Sequence, residues 1–202
     1  MPQVDRWVVG NALRFLGELP DKIGPRANQV TFFINISGIS VGDPEFLTYV
    51  KDVIKANKVD PRNVCFEITE TATIANFSVA SEFIENINRL GCKMALDDFG
   101  SGLCSFNYLK HLPVSFIKID GTFVEVMLQD AMDRVIVGAI KQIGDAASLS
   151  TIAEFVSDAR VLKELAEIGV DYAQGFGIAR PQPIDSLIGE LNSMDDAAND
   201  SW

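Results

Sequence analysis

Polar and charged side chains interrupt a series of short apolar runs, each time near the carboxyl end of the run. The clearest case is KMALDDFGSG (93–102), where the adjacent acids Asp97 and Asp98 follow an apolar stretch and precede a glycine-spaced turn. The other five runs carry one or two polar residues near the same point: Asn35, Glu67, Lys118 with Asp120, Glu154 and Gln174. Intervals of about twenty to thirty-six residues separate successive runs, which is the length of one strand–helix unit.

The chemistry of this set is that of hard oxygen ligands. Asn, Asp and Glu without His or Cys suit Mg²⁺, Mn²⁺ or Ca²⁺ better than zinc or copper. A bound cation would relieve the repulsion between Asp97 and Asp98, and Lys118 would add a fixed positive charge. Two such ions close together can clamp a phosphodiester and supply hydroxide for in-line attack.

Each residue taken alone also has a structural interpretation. A single acid at a strand end is most often the N-cap of the next helix, and Asp120 fits a cap or a site equally well. The Lys118 side chain could instead extend outward to solvent, and the Gln174 side chain could hydrogen-bond only to backbone. A polar residue in five consecutive apolar runs favours one shared site.

The elements that must position these residues are parallel strands joined by helices. Segments with helical spacing lie between the runs, and Asp158 is the expected N-cap of one of them. This alternation predicts an α/β fold, either an open doubly wound sheet or a closed barrel, with its site at the carboxyl ends of the strands. The predicted strands are 30–36, 63–69, 93–99, 115–120, 149–155 and 171–176.

Composition narrows the function classes. The chain has 202 residues and a formal net charge of −11, which argues against non-specific nucleic-acid binding. It has no run of 18 apolar residues and no signal-peptide pattern, so we expect no membrane insertion. Its three cysteines, Cys65, Cys92 and Cys104, have no paired spacing and indicate a reducing, cytoplasmic location. The single histidine, His111, is expected on the surface.

Six segments of the chain match one known family: VDRWVV (4–9), FINIS (33–37), FEITET (66–71), residues 95–124, TIAEF (151–155) and DYAQGFGIARPQP (171–183). Together they resemble the EAL domain, a bacterial phosphodiesterase that cleaves cyclic di-GMP (c-di-GMP). The resemblance implies a (β/α)8 TIM-like barrel with one irregular strand direction, over residues 1–192. The acidic composition of residues 193–202 predicts a disordered tail. The resemblance also implies two Mg²⁺ or Mn²⁺ ions, hydrolysis of c-di-GMP to linear pGpG, a homodimer, and a parent protein that is cytoplasmic or membrane-tethered.

The resemblance implies a role for each matching residue. The implied metal ligands are Asn35, Glu67, Asp97, Asp98 and Glu154. Lys118 resembles the family's lysine that positions water and phosphate. Glu154 resembles the family's glutamate that is assigned either as a metal ligand or as the general base. Gln174, Arg180 and Pro181 stand where the family binds substrate. Glu70 resembles the residue that holds the loop after the paired aspartates, a loop that the family uses in dimerisation.

Two departures from the family bear on activity. The Glu-Ala-Leu signature is missing, since only three residues precede VDRWVV, so the chain is expected to lack the first strand and one metal-binding glutamate. The family's EGVE reads EFVS here, and Ser157 replaces a carboxylate. We therefore expect this chain to hydrolyse c-di-GMP slowly or not at all by itself. The alternatives are an EAL-like domain that binds c-di-GMP or a protein partner without catalysis, and a scaffold for dimerisation.

Overall fold

A computed structural model of the chain describes residues 2–102, 107–189 and 191. Six strands form one parallel sheet in chain order. They are β1 Phe32–Asn35, β2 Val64–Thr69, β3 Lys93–Phe99, β4 Phe116–Ile119, β5 Ser150–Ala153 and β6 Tyr172–Ala173. Each strand falls inside the range predicted from sequence. The part of the chain with described structure contains no antiparallel strand. The predicted tail (193–202) and Cys104 lie outside the described residues.

Helices follow the strands as crossover connections. One of them carries the predicted cap: the Asp158 side chain accepts from Arg160 N and Val161 N. Gly91, with φ +90°, follows the C-terminal end of another. The helices are α1 Pro2–Ile23, α2 Gly38–Val41, α3 Pro44–Ala56, α4 Glu70–Ala75, α5 Phe77–Arg89, α6 Gly121–Val126, α7 Ala131–Ala147 and α8 Ala159–Ile168. Short 3₁₀ turns cover Gly24–Gln29, Pro61–Asn63 and Tyr108–His111, where His111 is exposed.

The two faces of the sheet differ in what they contact. Outward-facing residues such as Phe66, Leu96 and Ile117 pack under the helices in the main core. Because strand side chains alternate, the opposite face carries two layers. The lower layer is apolar and joins Cys65, Ala95, Phe116 and Ile152. The upper layer, two residues further along each strand, carries Glu67, Asp97, Lys118 and Glu154.

This arrangement is an incomplete form of the predicted parallel barrel, with six strands in the described part of the chain. Among the described strands the sheet does not close, because β1 pairs only with β2 and β6 pairs only with β5. Because all six strands are parallel, their carboxyl ends lie at one curved rim. None of the described helices is both long and apolar enough to cross a bilayer.

Candidate metal and phosphodiester site

Lys118 stands at the centre of the rim and faces three carboxylates. Its Nζ lies 2.9 Å from Glu67 Oε2, 2.8 Å from Asp97 Oδ1 and 2.8 Å from Glu154 Oε1. Only 3% of the Lys118 side chain is exposed, so the outward orientation does not occur. Burial alone would lower the pKa of Lys118, but the charge of Glu67 and the close contacts with the Asp97 and Glu154 carboxylates raise it above its ordinary value. The ammonium is therefore a fixed positive charge.

Asp97 and Asp98 reach the same side of the sheet because β3 is irregular there. Adjacent residues of a regular strand point to opposite faces. The pairing of β3 with β4 shifts register between Leu96 and Phe99, and Asp98 takes the left-handed conformation with φ +52°. Aspartate tolerates that conformation better than most residues, and such bulges re-aim side chains. Ligand atoms of Asp97, Asp98 and Glu154 all lie within 4.8 Å of one another.

Burial, together with excess negative charge, raises the pKa values of the carboxyl groups of Glu67, Asp98 and Glu154. Four carboxylates (Glu67, Asp97, Asp98 and Glu154) surround one ammonium, a formal charge of −3 when all are ionised. Burial, with the charges of Asp97 and Glu67, raises the pKa of Glu154 to about 7 against the effect of Lys118. Burial also raises the pKa of Glu67, although Lys118 and a hydrogen bond from Asn35 oppose it. Partial desolvation and the charge of Asp97 raise the pKa of Asp98.

The residues fit a hard divalent cation. Asp97 Oδ1 is buried, and its contact with Lys118 lacks hydrogen-bond geometry, so this oxygen has no hydrogen-bond partner within the described structure. A cation at Asp97, Asp98 and Glu154 would fill that need and offset the negative charge. Glu67 contacts the same Lys118 ammonium as Asp97 and Glu154, and the Asn35 side chain hydrogen-bonds to Glu67. All five sequence-predicted ligands thus fall at one rim.

Glu70 lies at the start of α4 and ties that helix to the loop after β3. Its Oε2 accepts a hydrogen bond from Gly100 N at 3.0 Å, and its Oε1 accepts one from the Tyr108 hydroxyl. Glu70 is 1% exposed. These two bonds hold both ends of the segment whose residues 103–106 lie outside the described structure. The contact to Tyr108 had no sequence signal, because the pairing spans 38 residues.

The predicted substrate residues lie beside the acidic cluster and line a cavity of about 700 Å³. Gln174, Arg180 and Pro181 share this cavity with Glu154 and Ser157. The Arg180 guanidinium lies over the Phe176 ring, with Cζ 5.5 Å from the ring centroid. Sequence reasoning did not predict Phe155 and Phe176 as lining residues, although both follow predicted polar strand ends. Gln174 also bonds through its backbone, donating to Ala153 O and accepting from Val156 N.

Asp120, which sequence left open between cap and site, caps a helix. Its Oδ1 accepts from Thr122 N at 2.8 Å and from Thr122 Oγ1 at 2.7 Å at the start of α6. The carboxylate is buried near the cluster and contributes to the raised pKa of Asp98.

The model of the EAL domain family matches residues 1–181. The chain belongs to the EAL domain family. Two curated relatives of this EAL domain are each 38% identical to it: cyclic di-GMP phosphodiesterase PdeA of Borreliella burgdorferi, over 90% of the chain, and cyclic di-GMP phosphodiesterase PdeB of Shewanella oneidensis, over 92%. The chain spans only 27% and 21% of their respective lengths.

Solved structures agree with this membership. The EAL domain matches a c-di-GMP complex of the PaMucR phosphodiesterase with a TM-score of 0.86 and 29% identity, covering 92% of this chain and 74% of that one. It also matches the FimX EAL domain of Pseudomonas aeruginosa bound to c-di-GMP, with a TM-score of 0.80 and 31% identity, covering 89% of this chain and 70% of that one.

Proposed function

We propose that this EAL domain is the phosphodiesterase unit of a bacterial second-messenger protein, hydrolysing c-di-GMP to linear pGpG with two bound Mg²⁺ or Mn²⁺ ions. The observation that carries the proposal is the Lys118 ammonium among three buried carboxylates at the rim, with Asp98 turned toward them by a bulge. The named activities of PdeA and PdeB and the c-di-GMP complexes of PaMucR and FimX support the choice of substrate.

The residues divide the work by position. Asn35, Glu67, Asp97, Asp98 and Glu154 are the proposed ligands; the ions would supply an activated water and neutralise phosphate charge. Lys118 holds the phosphodiester and stabilises the negative charge that develops on the phosphoryl oxygens as water attacks phosphorus and the P–O3′ bond breaks. Glu154 serves as ligand and, in the alternative assignment, accepts the proton of the attacking water. Glu70 keeps the loop after Asp98 in place.

In the proposed complex, the cavity beside Glu154 receives the rest of the nucleotide. Its volume of about 700 Å³ lies within the usual range for small-molecule sites. Gln174, Arg180 and Pro181 supply an amide, a cation and a rigid apolar surface along its wall. A polar rim next to an aromatic wall suits a ligand with both phosphates and flat bases.

The test is metal-dependent turnover of c-di-GMP. We expect this chain to produce pGpG slowly, so product is followed by chromatography with enzyme in excess, in Mg²⁺ and in Mn²⁺. Asp97→Ala should lower the rate at least about a hundredfold, equivalent to about 2.7 kcal/mol of transition-state stabilisation. The matched control is Asp52→Ala, which removes an exposed aspartate of α3 and should leave the rate unchanged. An unchanged rate in Asp97→Ala would remove that residue from the mechanism.

A binding domain without catalysis is the second candidate, and Ser157 favours it. Ser157 lines the cavity where the family carries a glutamate, so the site has one carboxylate fewer. Calorimetry separates the two: micromolar c-di-GMP binding without any pGpG would establish a receptor, and pGpG formation would establish the enzyme. If the chain neither binds c-di-GMP nor forms pGpG, the result would favour the scaffold, for which dimerisation is the property to measure.

A further inference from the structure

Phe155 combines backbone strain with exposure. Its φ is +54°, a left-handed conformation that is a genuine outlier for a bulky residue, and its side chain is 61% exposed. Hydrogen bonds on both sides impose this backbone: Glu154 N donates to Ile119 O at 3.3 Å, and Val156 N donates to Gln174 O at 3.0 Å. The ring therefore does not owe its position to burial in the core. Strain that the surroundings enforce is a recurrent feature of ligand sites.

The exposed ring borders the cavity described above. One side of it lies against Gly121, where an added Cβ would come within 2.1 Å of Phe155 Cδ2. The ring also lines the cavity together with Phe176, which carries the Arg180 guanidinium. Glu154 precedes Phe155, so their Cα atoms are about 3.8 Å apart. The acidic cluster and the aromatic wall are thus within reach of a single nucleotide.

We propose that Phe155 is a specificity residue whose ring stacks on one guanine base of c-di-GMP while the adjacent phosphodiester lies at the acidic cluster. This inference rests on the proposed function and adds a base-recognition contact to it. Aromatic stacking fits any flat base and contributes measurably to affinity for each base. A phosphodiester ligand without bases would gain nothing from this residue.

Two matched substitutions separate stacking from bulk. Phe155→Leu keeps a large apolar side chain at the strained position but has no aromatic ring, and Phe155→Trp keeps the ring. Calorimetry with c-di-GMP should show affinity lowered about 5- to 150-fold in Phe155→Leu and retained in Phe155→Trp. A c-di-GMP analogue with 2-aminopurine in place of one guanine reports stacking directly, since its fluorescence should be quenched by the unchanged chain and much less by Phe155→Leu.

Two controls keep the test decisive. Mn²⁺ binding, followed by electron paramagnetic resonance, should be the same in all three proteins because the acidic cluster is unchanged. Phe155→Gly should lower c-di-GMP affinity without lowering the melting temperature, because glycine relieves the positive φ and the lost side chain is mostly exposed. Equal c-di-GMP affinity and quenching in Phe155→Leu and the unchanged chain would overturn this inference alone. Absence of c-di-GMP binding by the unchanged chain would overturn the proposed function and this inference with it.

Discussion

Lys118 shows how one residue can organise a site. Three carboxylate oxygens lie within 2.9 Å of its ammonium, and all four groups are nearly buried. A buried charge cluster is costly to dehydrate, and removing one partner leaves the others uncompensated. Here the single ammonium does not balance the carboxylates, so an additional cation at the rim would offset the remaining negative charge.

Replacing Lys118 should therefore separate metal binding from catalysis. Lys118→Met removes the only cation facing the three carboxylates in the described structure. We expect turnover of c-di-GMP to fall about 10²- to 10³-fold, as for loss of one transition-state donor, while Mn²⁺ binds more tightly because the local charge is more negative. Paramagnetic resonance titration measures the Mn²⁺ affinity. Lys55→Met, on the exposed side of α3, is the control.

Weaker Mn²⁺ binding in Lys118→Met would contradict this account. It would mean that the lysine holds the carboxylates in their liganding positions, and that this effect outweighs its repulsion of the cation. Denaturation of the metal-free variant checks that the fold survives, since the unpaired carboxylates should cost about 3–5 kcal/mol of unfolding free energy.

At the scale of elements, buried acids attach the helices and loops around the rim. Glu70 joins α4 to the loop after β3 through Gly100 and Tyr108. Asp5 joins α1 to the turn after β1, accepting from Ser37 N, Ser37 Oγ and Ser40 Oγ through its Oδ2. Each contact fixes an element next to a proposed ligand, Asp98 in the first case and Asn35 in the second.

Glu70→Ala should loosen the loop after the paired aspartates. Two donors lose a buried, charged acceptor, so we expect unfolding free energy to fall by about 1–3 kcal/mol and amide exchange at Gly100 to accelerate. Hydrogen exchange read by mass spectrometry measures this locally. Glu82→Ala, on the exposed face of α5, should change neither quantity. Unaltered exchange at Gly100 would show that the loop is held by other contacts.

The Asp5 contact should depend on pH. Burial alone would raise the pKa of Asp5, but hydrogen bonds from Ser37 and Ser40 lower it below its ordinary value. A lowered pKa in the folded state means that the carboxylate stabilises the fold above its unfolded pKa of about 3.9, and that this contribution disappears as pH falls through the folded value. Asp5→Asn should thus cost about 1–2 kcal/mol at pH 7 and progressively less below about pH 4.

Urea denaturation at pH 7 and at pH 3 measures the two differences. Asp21→Asn lies on the same helix with an exposed side chain and serves as the control. A cost that is the same at both pH values would assign the effect to hydrogen-bond shape rather than to charge.

Sequence predicted the strands well because their signal is local. The range 93–99 coincides with β3, and the strand ends bring the predicted ligands to one rim. Sequence did not predict helix α1, whose apolar pattern is interrupted by Gly10, Gly17 and Pro20. Gly17 is there for packing, since an added Cβ would come within 2.3 Å of Asn57 O. Such a contact between distant segments leaves no local pattern.

The candidate site was predictable in composition but not in conformation. The ligand types and their spacing follow from the chain, whereas the bulge at Asp98 and the positive φ of Phe155 depend on hydrogen bonds to neighbouring strands. Those two irregular backbones decide which side chains face the acidic cluster and which face the cavity. Tertiary pairing, rather than local preference, therefore sets the finer geometry of the rim.

At the scale of the whole molecule, negative charge is spread over the surface and concentrated at the rim. The formal net charge is −11, and the cluster around Lys118 contributes −3 of it when ionised. Any divalent cation will reduce the general repulsion, so stabilisation by Mg²⁺ alone does not identify a site. A specific ion stabilises the folded state through its own binding equilibrium, whereas screening depends mainly on ionic strength.

The loss of melting temperature on removing the metal should therefore have two parts, one that depends on Asp97 and one that does not. At Mg²⁺ a hundred times its dissociation constant, specific binding adds about 2.7 kcal/mol, which for a chain of this size raises the melting temperature by roughly 5–10 °C. Calorimetric melting in EDTA, in Mg²⁺ and in NaCl of equal ionic strength measures both parts. Asp97→Ala should lose the Mg²⁺-specific shift and Asp52→Ala should keep it. Equal shifts in the two variants, or in Mg²⁺ and NaCl, would mean that the carboxylates at the rim hold no ion of their own.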